Sequence, residues 1–402
     1  MLDVLPLDRA LNLLSAEFSK LRTAAADVGL NNADGRVLAC DVLSDEYVPG
    51  FTRSMVDGYA VVAADTFGCS DAVPAMLTMA GESKMGAEPD FCIKRGECAY
   101  VPTGGAIPNG ADAMVMVEYS EKFCGQTIAI SRPSAPANGV VFKGDDVKPG
   151  EIVLKEGTRL CAKDIGALAA IGKNSVRVYE KPRIAVFSTG DELVEPKEKP
   201  SGGEIRDVNR VMLCAGIRES GGEAVDMGIV PDDRNMICEV MKTAAEKCDM
   251  VLLSGGTSVG VKDTACDIMS ESGKLLLHGL ALKPGKPTVC ASVFGKPVFA
   301  LPGHPVAAYF IFSLVVKPLI SGFAGCKSSV KAVEATLNTA IPSNNGREEC
   351  VAVSLCSKIA TPIVTKSGLI TTLSAADGYI RIPRDCEGIK SGATVEVYLF
   401  ER

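Results

Sequence analysis

The fold is decided by the stretch DMVLLSGGTSVG, which occupies residues 249–260. Residues 250–253 are continuously apolar, as a strand buried on both faces of a parallel sheet requires. The glycines that follow predict a loop at the carboxyl end of that strand, the place where open parallel sheets bind ligands. The stretch therefore predicts a doubly wound α/β domain with a ligand site at one sheet edge.

Strands and helices alternate on both sides of this stretch, which is the order of a parallel sheet with crossover helices. The predicted strands are 183–188, 224–228, 249–254, 288–291 and 297–301. Helices are predicted over 207–219 and 234–247, from about Asp263, and from about Pro305. Helix 234–247 has Asp232 or Asp233 as its N-cap. Helix 207–219 is expected to bury the face that carries Val208, Val211, Met212 and Ala215.

Outside this domain the pattern changes twice. Residues 6–28 have the apolar spacing of an amphipathic helix (Leu7, Ala10, Leu11, Leu14, Phe18), and 163–170 predicts a second helix that ends at Gly172. Residues between about 50 and 146 read as short strands between Gly/Pro turns (58–63, 74–80, 97–101, 113–117, 127–130), and so do those after 328 (332–337, 351–355, 379–383, 394–400). Two β-rich domains are therefore expected beside the α/β domain.

Composition excludes several classes of protein. The chain has 402 residues with a net charge of −7, so a non-specific nucleic-acid binder is excluded. Its 15 cysteines stand singly, with no CxxC, and are expected to be small buried hydrophobes in a reducing compartment. Two histidines leave no His-rich zinc site. The amino-terminal residues lack a signal pattern and the longest apolar stretch, 305–316, is too short to span a membrane, which predicts a cytoplasmic protein.

The glycine loop after residue 253 is the first candidate site. Ser254, Ser258 and a threonine surround Gly255 and Gly256, and Asp263 opens the next helix. Backbone N–H groups and hydroxyls in this arrangement favour a cradle for phosphate or another oxyanion. The structural alternative is a tight turn that needs glycine for its backbone conformation.

Two further loops carry groups that suit an anionic ligand. Glu192, with Asp191 beside it, follows the strand 183–188, where carboxylates could hold Mg²⁺ or accept hydrogen bonds from ring nitrogens. A plain turn is the alternative reading. Lys283 and Lys286 are held in a turn by prolines and a glycine, and this pattern favours binding of phosphate. Pro302 and Pro305 flank His304 at a helix amino end, where free N–H groups attract anions.

Taken together, these segments resemble the molybdenum insertase family of the MoeA type, which is also similar to the C-terminal domain of gephyrin. The matching stretches occur in the family's order and are 51–61, 102–118, 144–150, 184–193, 204–209, 254–263, 283–287 and 301–305. The resemblance extends over most of the chain.

The resemblance implies a multidomain α/β plus β fold. Residues 1–45 and 147–178 are expected to form a discontinuous helical domain, and 46–146 a β-rich lobe. Residues 179–326 are expected to form a molybdopterin-binding, MogA-like α/β domain, and 327–402 a C-terminal β-barrel. It also implies a homodimer whose active cleft lies between the α/β domain of one subunit and the β-rich lobe of the other.

The implied reaction transfers molybdenum from molybdate, or tungstate, to adenylylated molybdopterin with release of AMP, assisted by Mg²⁺. A molybdopterin adenylyltransferase and chaperones of molybdenum enzymes are candidate protein partners. The catalytic positions carried over by the resemblance are Asp57, Thr103, Glu192, Asp263 and Lys283, of which Glu192 and Asp263 would hold the metal. The substrate-binding positions carried over are Asp146, Asp232, Pro302, Pro305 and Ser367. Ser254, Gly255, Gly256, Ser258 and Lys286 complete the predicted substrate site.

Three departures from the family pattern each remove a potential anion contact. Gly279 and Ala352 stand where relatives often have a lysine and an arginine, although Arg347 lies near the second position. Before Gly144 the usual basic cluster is reduced to Phe142-Lys143. These departures keep open a carrier or scaffold paralogue that binds molybdopterin without inserting metal. An adenylyltransferase acting on molybdopterin is a third hypothesis, supported by the α/β domain alone.

Overall fold

The structure is a computed structural model that describes residues 4–255, 262–326, 331–344, 346–363 and 368–400, without the side chains of residues 262–264. Three six-stranded sheets form its framework, and short two-stranded pairings connect them. One sheet belongs to each of the predicted β-rich lobe, the α/β domain and the C-terminal barrel. The predicted multidomain α/β plus β fold is confirmed.

The α/β sheet is mixed. Its strands, in spatial order, are Glu223–Val230, Arg183–Thr189, Met250–Gly255, Lys296–Leu301, Val289–Val293 and Lys274–His278. The first four run parallel, and the last two form an antiparallel edge. The edge strand Lys274–His278 has no counterpart among the predicted strands, because it follows a helix after a single glycine.

Helices cover both faces of this sheet, as a doubly wound fold requires. The helices of the domain are Val208–Glu219, Arg234–Lys247, Lys262–Ser272 and Pro305–Ile311. Alternate residues of the strand Arg183–Thr189 pack to opposite sides. Ile184 and Val186 belong to one core cluster, and Ala185 and Phe187 belong to another. Every residue of this strand after the first is buried, which explains its continuous apolar sequence.

The predicted buried face of the helix Val208–Glu219 is wrong. Val208 and Val211 are 36% and 49% exposed, whereas Leu213 and Ile217 are buried in the core. Asp207 caps the helix and Arg210 is buried beside it in a charge network, so these two polar residues fix the rotation of the helix. A face chosen from apolar spacing alone could not include a buried arginine.

One helical run is longer than the predicted apolar stretch. It continues from Pro305–Ile311 through a wide turn at Phe312–Val316 into the helix Lys317–Phe323. Within the described residues, Pro305–Phe323 is the one helix with the length and apolarity to cross a membrane, and 61% of it is buried. Phe310, Val315 and Ile320 pack in the same core cluster as the sheet, so the run serves here as a core helix.

The amino-terminal segment pairs with residues far along the chain. The helix Leu7–Phe18 ends ten residues before the predicted limit of 28, and the strand Ala25–Gly29 follows it. That strand pairs with Ser175–Tyr179, and Val42–Leu43 pairs with Ile152–Leu154. The helix Ala162–Ala170 ends at Gly172, whose φ is +71° as predicted for a left-handed cap. These pairings are those that a discontinuous domain requires, and its boundaries stay a prediction.

The β-rich lobe agrees closely with the predicted strands. Its sheet contains, in spatial order, Ala113–Met116, Gly58–Val61, Glu97–Val101, Ala75–Glu82, Thr127–Ile130 and Ser120–Lys122. Arg53–Ser54 pairs with Val140–Val141 beside it. Tyr59, Cys98 and Ile130 are central to its core.

The C-terminal sheet closes on itself. Its five strands are Ala332–Leu337, Glu348–Cys356, Ile359–Pro362, Gly378–Ile382 and Thr394–Leu399, and the pairing of the second with the fourth completes the barrel. Leu282–Lys283 of the α/β domain pairs in parallel with Glu348–Glu349 at the rim. The remaining elements are the pairs Leu193–Val194 with Ile205–Arg206 and Ile341–Pro342 with Gly388–Ile389, and the short helix Ile370–Leu373.

None of the fifteen cysteines, all of which lie in the described residues, forms a disulfide bond. Six are buried, as expected of small hydrophobes, namely Cys98, Cys214, Cys248, Cys266, Cys290 and Cys350. Five others are exposed, which the expectation of burial did not anticipate.

Gly58 is required by a close approach of two strands. A Cβ at this position would lie 2.0 Å from the carbonyl oxygen of Val115 on the neighbouring strand. We expect Gly58→Ala to lower the stability by about 1–3 kcal/mol, measured as a lower melting temperature, because the strands must separate. Gly166→Ala is the control, since open space surrounds that exposed helical glycine and alanine is the better helix former. Equal effects of the two changes would contradict this account.

Candidate active site

The carboxyl ends of four parallel strands form one edge of the α/β sheet. Thr189 lies between Val230 and Gly255, and Ser254 lies beside Leu301. These strand ends, and the loops and the helix that follow them, carry six of the predicted site residues, namely Glu192, Asp232, Ser254, Gly255, Pro302 and Pro305. The topology thus gathers them at one edge, while their roles stay predictions.

Gly255 is forced by the backbone itself. Its φ is +110°, and a Cβ would lie 2.0 Å from the carbonyl oxygen of Thr189. The requirement for glycine at 255 therefore follows from packing between strands, with or without a ligand. Gly256 and Ser258 lie outside the described residues. The backbone of Asp263 lies in the first turn of the helix Lys262–Ser272, as predicted, and its side chain is outside the description.

Asp232 and Asp233 have separate roles. Asp233 is the N-cap of the helix Arg234–Lys247, and its Oδ1 accepts hydrogen bonds from the N–H groups of Asn235 and Met236 at 2.9 Å. Asp232 instead accepts a hydrogen bond from the Thr189 hydroxyl at the strand end. Its carboxylate is thereby fixed at the sheet edge, where the predicted substrate site requires it.

Glu192 is exposed at the same edge. Its carboxylate lies over Gly190, where a Cβ would come within 2.9 Å of both carboxylate oxygens. Among the residues that the structure describes, no hydrogen-bond or ion-pair partner is found for this carboxylate. It is therefore available to a ligand or a cation.

Asn209 joins the strand ends to the next loop, and the sequence did not single it out. Its Nδ2 donates hydrogen bonds to Ser254 Oγ and to the Gly303 carbonyl, both at 2.8 Å. Its Oδ1 is buried and has no hydrogen-bond partner in the described part of the chain. A buried amide oxygen without a donor is costly, so a ligand N–H or O–H would stabilise it. The signal in the sequence was an amide side chain in the first turn of a helix, two residues after its N-cap.

Arg210 anchors the loop that carries Glu192. Its guanidinium bonds Asp207 Oδ2 at 2.8 Å, Asp226 Oδ2 at 2.6 Å and Glu195 Oε2 at 2.7 Å. Burial alone would lower the pKa of Arg210, but the hydrogen bonds and charges of Asp226 and Asp207 outweigh it and hold the pKa above its usual value. The guanidinium therefore ties the 190–207 loop to the sheet as a permanent cation.

A cavity of about 710 Å³ lies between the α/β domain and the barrel. From the α/β domain it is lined by the turn 283–287 and by Pro302 and His304, and from the barrel by residues 339–342, 347 and 349–352. Lys283, Lys286 and Arg347 bring three cationic side chains to its wall. Cys350 also lines it, and burial raises the pKa of that thiol, so it adds no charge. The cavity suits a small anion.

Lys283 is already paired with a carboxylate. Its Nζ lies 2.7 Å from Glu349 Oε1, and the Ser343 hydroxyl donates to Glu349 Oε2 at 2.7 Å. Gly285 holds the turn close to the core, since its φ is +121° and a Cβ would lie 2.5 Å from Ile311 Cδ1. Neither Glu349 nor its contact with Lys283 was predicted, because the barrel strand is far away in the sequence.

The structure shows the surroundings of the three positions that depart from the family pattern. Gly279 has a φ of +109°, a conformation that strains any side chain, so a lysine there would need a different backbone. Ala352 is buried in the cavity wall, on which Arg347 also lies. Lys143 Nζ lies 4.9 Å from the ring centre of Tyr47, so this cation packs on an aromatic face.

The remaining predicted residues lie elsewhere. Asp57 Oδ1 accepts a hydrogen bond from the Thr103 N–H at 2.8 Å, and both residues are exposed on the β-rich lobe. Asp146 is exposed beside the segment around Val48, to whose carbonyl its N–H donates at 3.0 Å. Within the described parts of this chain, no hydrogen bond or ion pair joins these three residues to the sheet edge. Ser367 lies outside the described residues.

The donor set at the sheet edge is compatible with Mg²⁺. This cation usually binds one or two protein carboxylates and completes its shell with water and substrate phosphates. Glu192 offers a free carboxylate of that kind. Over the described ranges, which leave out the Asp263 side chain, no cluster of three or more metal-binding side chains occurs.

Fold and site together define a multidomain α/β plus β protein with polar side chains at one sheet edge and a cavity whose wall carries three cationic side chains. Three family models match the chain: "MoeA N-terminal region (domain I and II)" over residues 5–172, "Probable molybdopterin binding domain" over 185–322 and "MoeA C-terminal region (domain IV)" over 334–400. The chain belongs to the MoeA family.

Relatives and solved structures agree over nearly the full length. A molybdopterin molybdenumtransferase of Staphylococcus epidermidis is 30% identical over 93% of this chain and 91% of its own. One from Staphylococcus aureus is 30% identical over 94% and 91%. Two crystal structures of the molybdopterin biosynthesis MoeA protein of Pyrococcus horikoshii have TM-scores of 0.83 and 0.87, with 37% and 34% identity, and cover 99% or more of both chains. The predicted family is confirmed.

Proposed function

We propose that this chain is a molybdenum insertase, which transfers molybdenum from molybdate to adenylylated molybdopterin and releases AMP. One observation carries the proposal: a cavity with Lys283, Lys286 and Arg347 on its wall adjoins the ligand-binding edge of the α/β sheet. Both sites are connected through the loop at Pro302, which lines the cavity and contacts Asn209. The names of the relatives as molybdenumtransferases support the same reaction.

The pterin nucleotide would bind at the sheet edge. Its phosphates would meet the backbone amides of the glycine loop and the amino end of the helix that begins at Pro305. Its N–H-rich ring would find acceptors in Asp232 and in the unpartnered Oδ1 of Asn209. Molybdate, a tetrahedral dianion, would enter the cavity beside it, and tungstate has the same charge and shape.

The chemistry asks the protein mainly for positioning and charge neutralisation. Both dithiolene sulfurs bind molybdenum, while their protons and one molybdate oxygen leave as water. One further water splits the phosphoanhydride bond and completes the phosphate of the released AMP. Molybdenum does not change oxidation state in these steps. When bound, Mg²⁺ would be held by Glu192 and Asp263 and would neutralise phosphate charge.

We infer further that the active unit is a homodimer. Asp57 and Thr103 are hydrogen-bonded to each other, and within the described residues no hydrogen bond or ion pair joins them to this chain's own sheet edge, so a second copy would have to bring them to such an edge. The proposed domain division is residues 1–45 with 147–178, 46–146, 179–326 and 327–402. The cytoplasmic location also stays a proposal.

A carrier that holds molybdopterin without inserting metal is the second candidate. The departures at Gly279 and Ala352 favour it, because relatives often have a cationic side chain at each position and Ala352 lines the cavity wall.

A direct assay distinguishes the two candidates. The purified protein is incubated with adenylylated molybdopterin, molybdate and Mg²⁺, and AMP is measured by chromatography, with a sample that lacks molybdate as the control. We expect molybdate-dependent AMP release. Bound pterin without AMP would support the carrier, and AMP at background level would overturn the insertase.

A further inference from the structure

The Lys283 ammonium group in the cavity is not free. It forms an ion pair with Glu349 at 2.7 Å, and the two residues are opposite each other in the parallel pairing of Leu282–Lys283 with Glu348–Glu349. The backbone register therefore fixes this carboxylate against the lysine. The Ser343 hydroxyl occupies the other carboxylate oxygen, so the glutamate side chain is held from both sides.

The exposure of the two partners is unequal. The Glu349 side chain is 13% exposed, whereas that of Lys283 is 47% exposed. The carboxylate is thus a fixed part of the cavity wall, and the lysine is the partner that can turn toward a ligand. Four carbons between its backbone and its charge give it that freedom.

Glu349 also differs in the sign of its charge from the lysine and arginine side chains that line the cavity with it. Among the described residues that line the cavity, it is the single carboxylate, against Lys283, Lys286 and Arg347. For Lys286 and Arg347 no ion-pair partner is found in the described part of the chain. The ligand-free cavity therefore has one neutralised cation and two cations available to an anion.

We propose that Glu349 is a built-in competitor of the oxyanion: it holds Lys283 in the ligand-free cavity and sets how weakly a free dianion binds there. The proposal rests on the proposed function, because it takes the cavity as the oxyanion site. A dianion next to Lys283 lies close to the Glu349 carboxylate and is repelled by it in a partly buried site. Molybdate alone is therefore held weakly, and a ligand fixed by further contacts at the sheet edge depends less on this lysine.

The test is a change that removes the charge and retains the shape. Glu349→Gln leaves an amide that can still accept a hydrogen bond from Lys283 and contact Ser343. We expect titration calorimetry with sodium molybdate alone to show about tenfold tighter binding to this variant than to the wild type. We expect the affinity for sulfate, also a dianion, to increase by a similar factor in this variant. The affinity for nitrate, a monoanion, is expected to increase less.

Glu348→Gln is the matched control. It removes the same charge one residue away, from a carboxylate that binds Arg381 and does not line the cavity. We expect its molybdate affinity to stay within about twofold of the wild type. A structural role for Glu349 predicts weaker or unchanged binding in Glu349→Gln, and either result overturns the proposal. An equal gain in both variants overturns it as well, because it would then reflect net charge.

The outcome is separable from that of the insertase assay. Tighter molybdate binding in Glu349→Gln together with absent AMP release would support the competitor and overturn the insertase. Molybdate binding that is unchanged in Glu349→Gln, together with AMP release, would overturn the competitor and support the insertase. Failure of both the wild type and the variant to bind any oxyanion would overturn the competitor, whatever the assay shows.

Discussion

We expect Lys283→Met to lower molybdate-dependent AMP release by about 100- to 1000-fold, the range observed when one preorganised donor to a developing anion is removed. The methionine side chain fills similar space but has no charge and no hydrogen to donate. Besides the lost cation, the change leaves the Glu349 carboxylate in the cavity without its partner. Both effects weaken the binding of oxyanion and phosphate in the same direction.

Two further variants separate these effects. Lys274 lies on the edge strand of the α/β sheet, outside the cavity, and forms an ion pair with Glu17. Lys274→Met removes the same charge as Lys283→Met, and we expect it to have wild-type activity. Adding Glu349→Gln to Lys283→Met is expected to raise AMP release about tenfold above that of Lys283→Met, because the double variant has no unpaired carboxylate in the cavity. More than a tenth of the wild-type activity in Lys283→Met would contradict its place in the reaction.

The sequence was sufficient for those parts of the site that depend on strand order. Continuous apolar runs at 184–187 and 250–253 predict adjacent parallel strands, and this alone places Glu192, Asp232 and Ser254 at one edge. The geometry of this sheet edge follows from the order of the strands, which short apolar runs in the sequence predict well.

The cavity could not be predicted in the same way. It exists because Leu282–Lys283 pairs with Glu348–Glu349 across 65 residues of chain, and no local pattern encodes that pairing. The same limit explains the wrong face of the helix Val208–Glu219. Its rotation is set by Arg210, whose partner Asp226 lies on the next strand of the sheet.

We expect Arg210→Met to lower the free energy of unfolding by about 3–5 kcal/mol at pH 7, the cost of breaking a buried ion pair by removing one partner. The side chains of Arg210 and Asp207 are 6% and 1% exposed, so Asp207 would remain as a buried charge without a cation. The loop held through Glu195 would also be released from the sheet. We therefore expect a lower melting temperature together with weaker binding of the pterin nucleotide near Glu192.

The comparison with Arg234→Met tests whether burial of the ion pair is the cause of the large loss of stability expected in Arg210→Met. Arg234 makes two hydrogen bonds to Glu271, at 2.6 and 2.7 Å, but both side chains are largely exposed. Its loss is expected to change the melting temperature little, because water replaces the lost partner. Similar losses in the two variants would mean that the Arg210 network is an ordinary surface ion pair.

The dependence on pH gives the Arg210 network a second readout. Burial alone would raise the pKa of Asp226, but its hydrogen bonds with Arg210 and the Gly228 N–H and the nearby arginine charges together outweigh burial and hold the pKa below the usual 3.8. The stabilisation of the wild type by this pair is therefore complete above that value and is lost as the pH falls through the lower, folded pKa. Denaturation at pH 7 and at about pH 3 should show a smaller difference in stability between the wild type and Arg210→Met at the lower pH. A constant or larger difference would contradict the charge network as its cause.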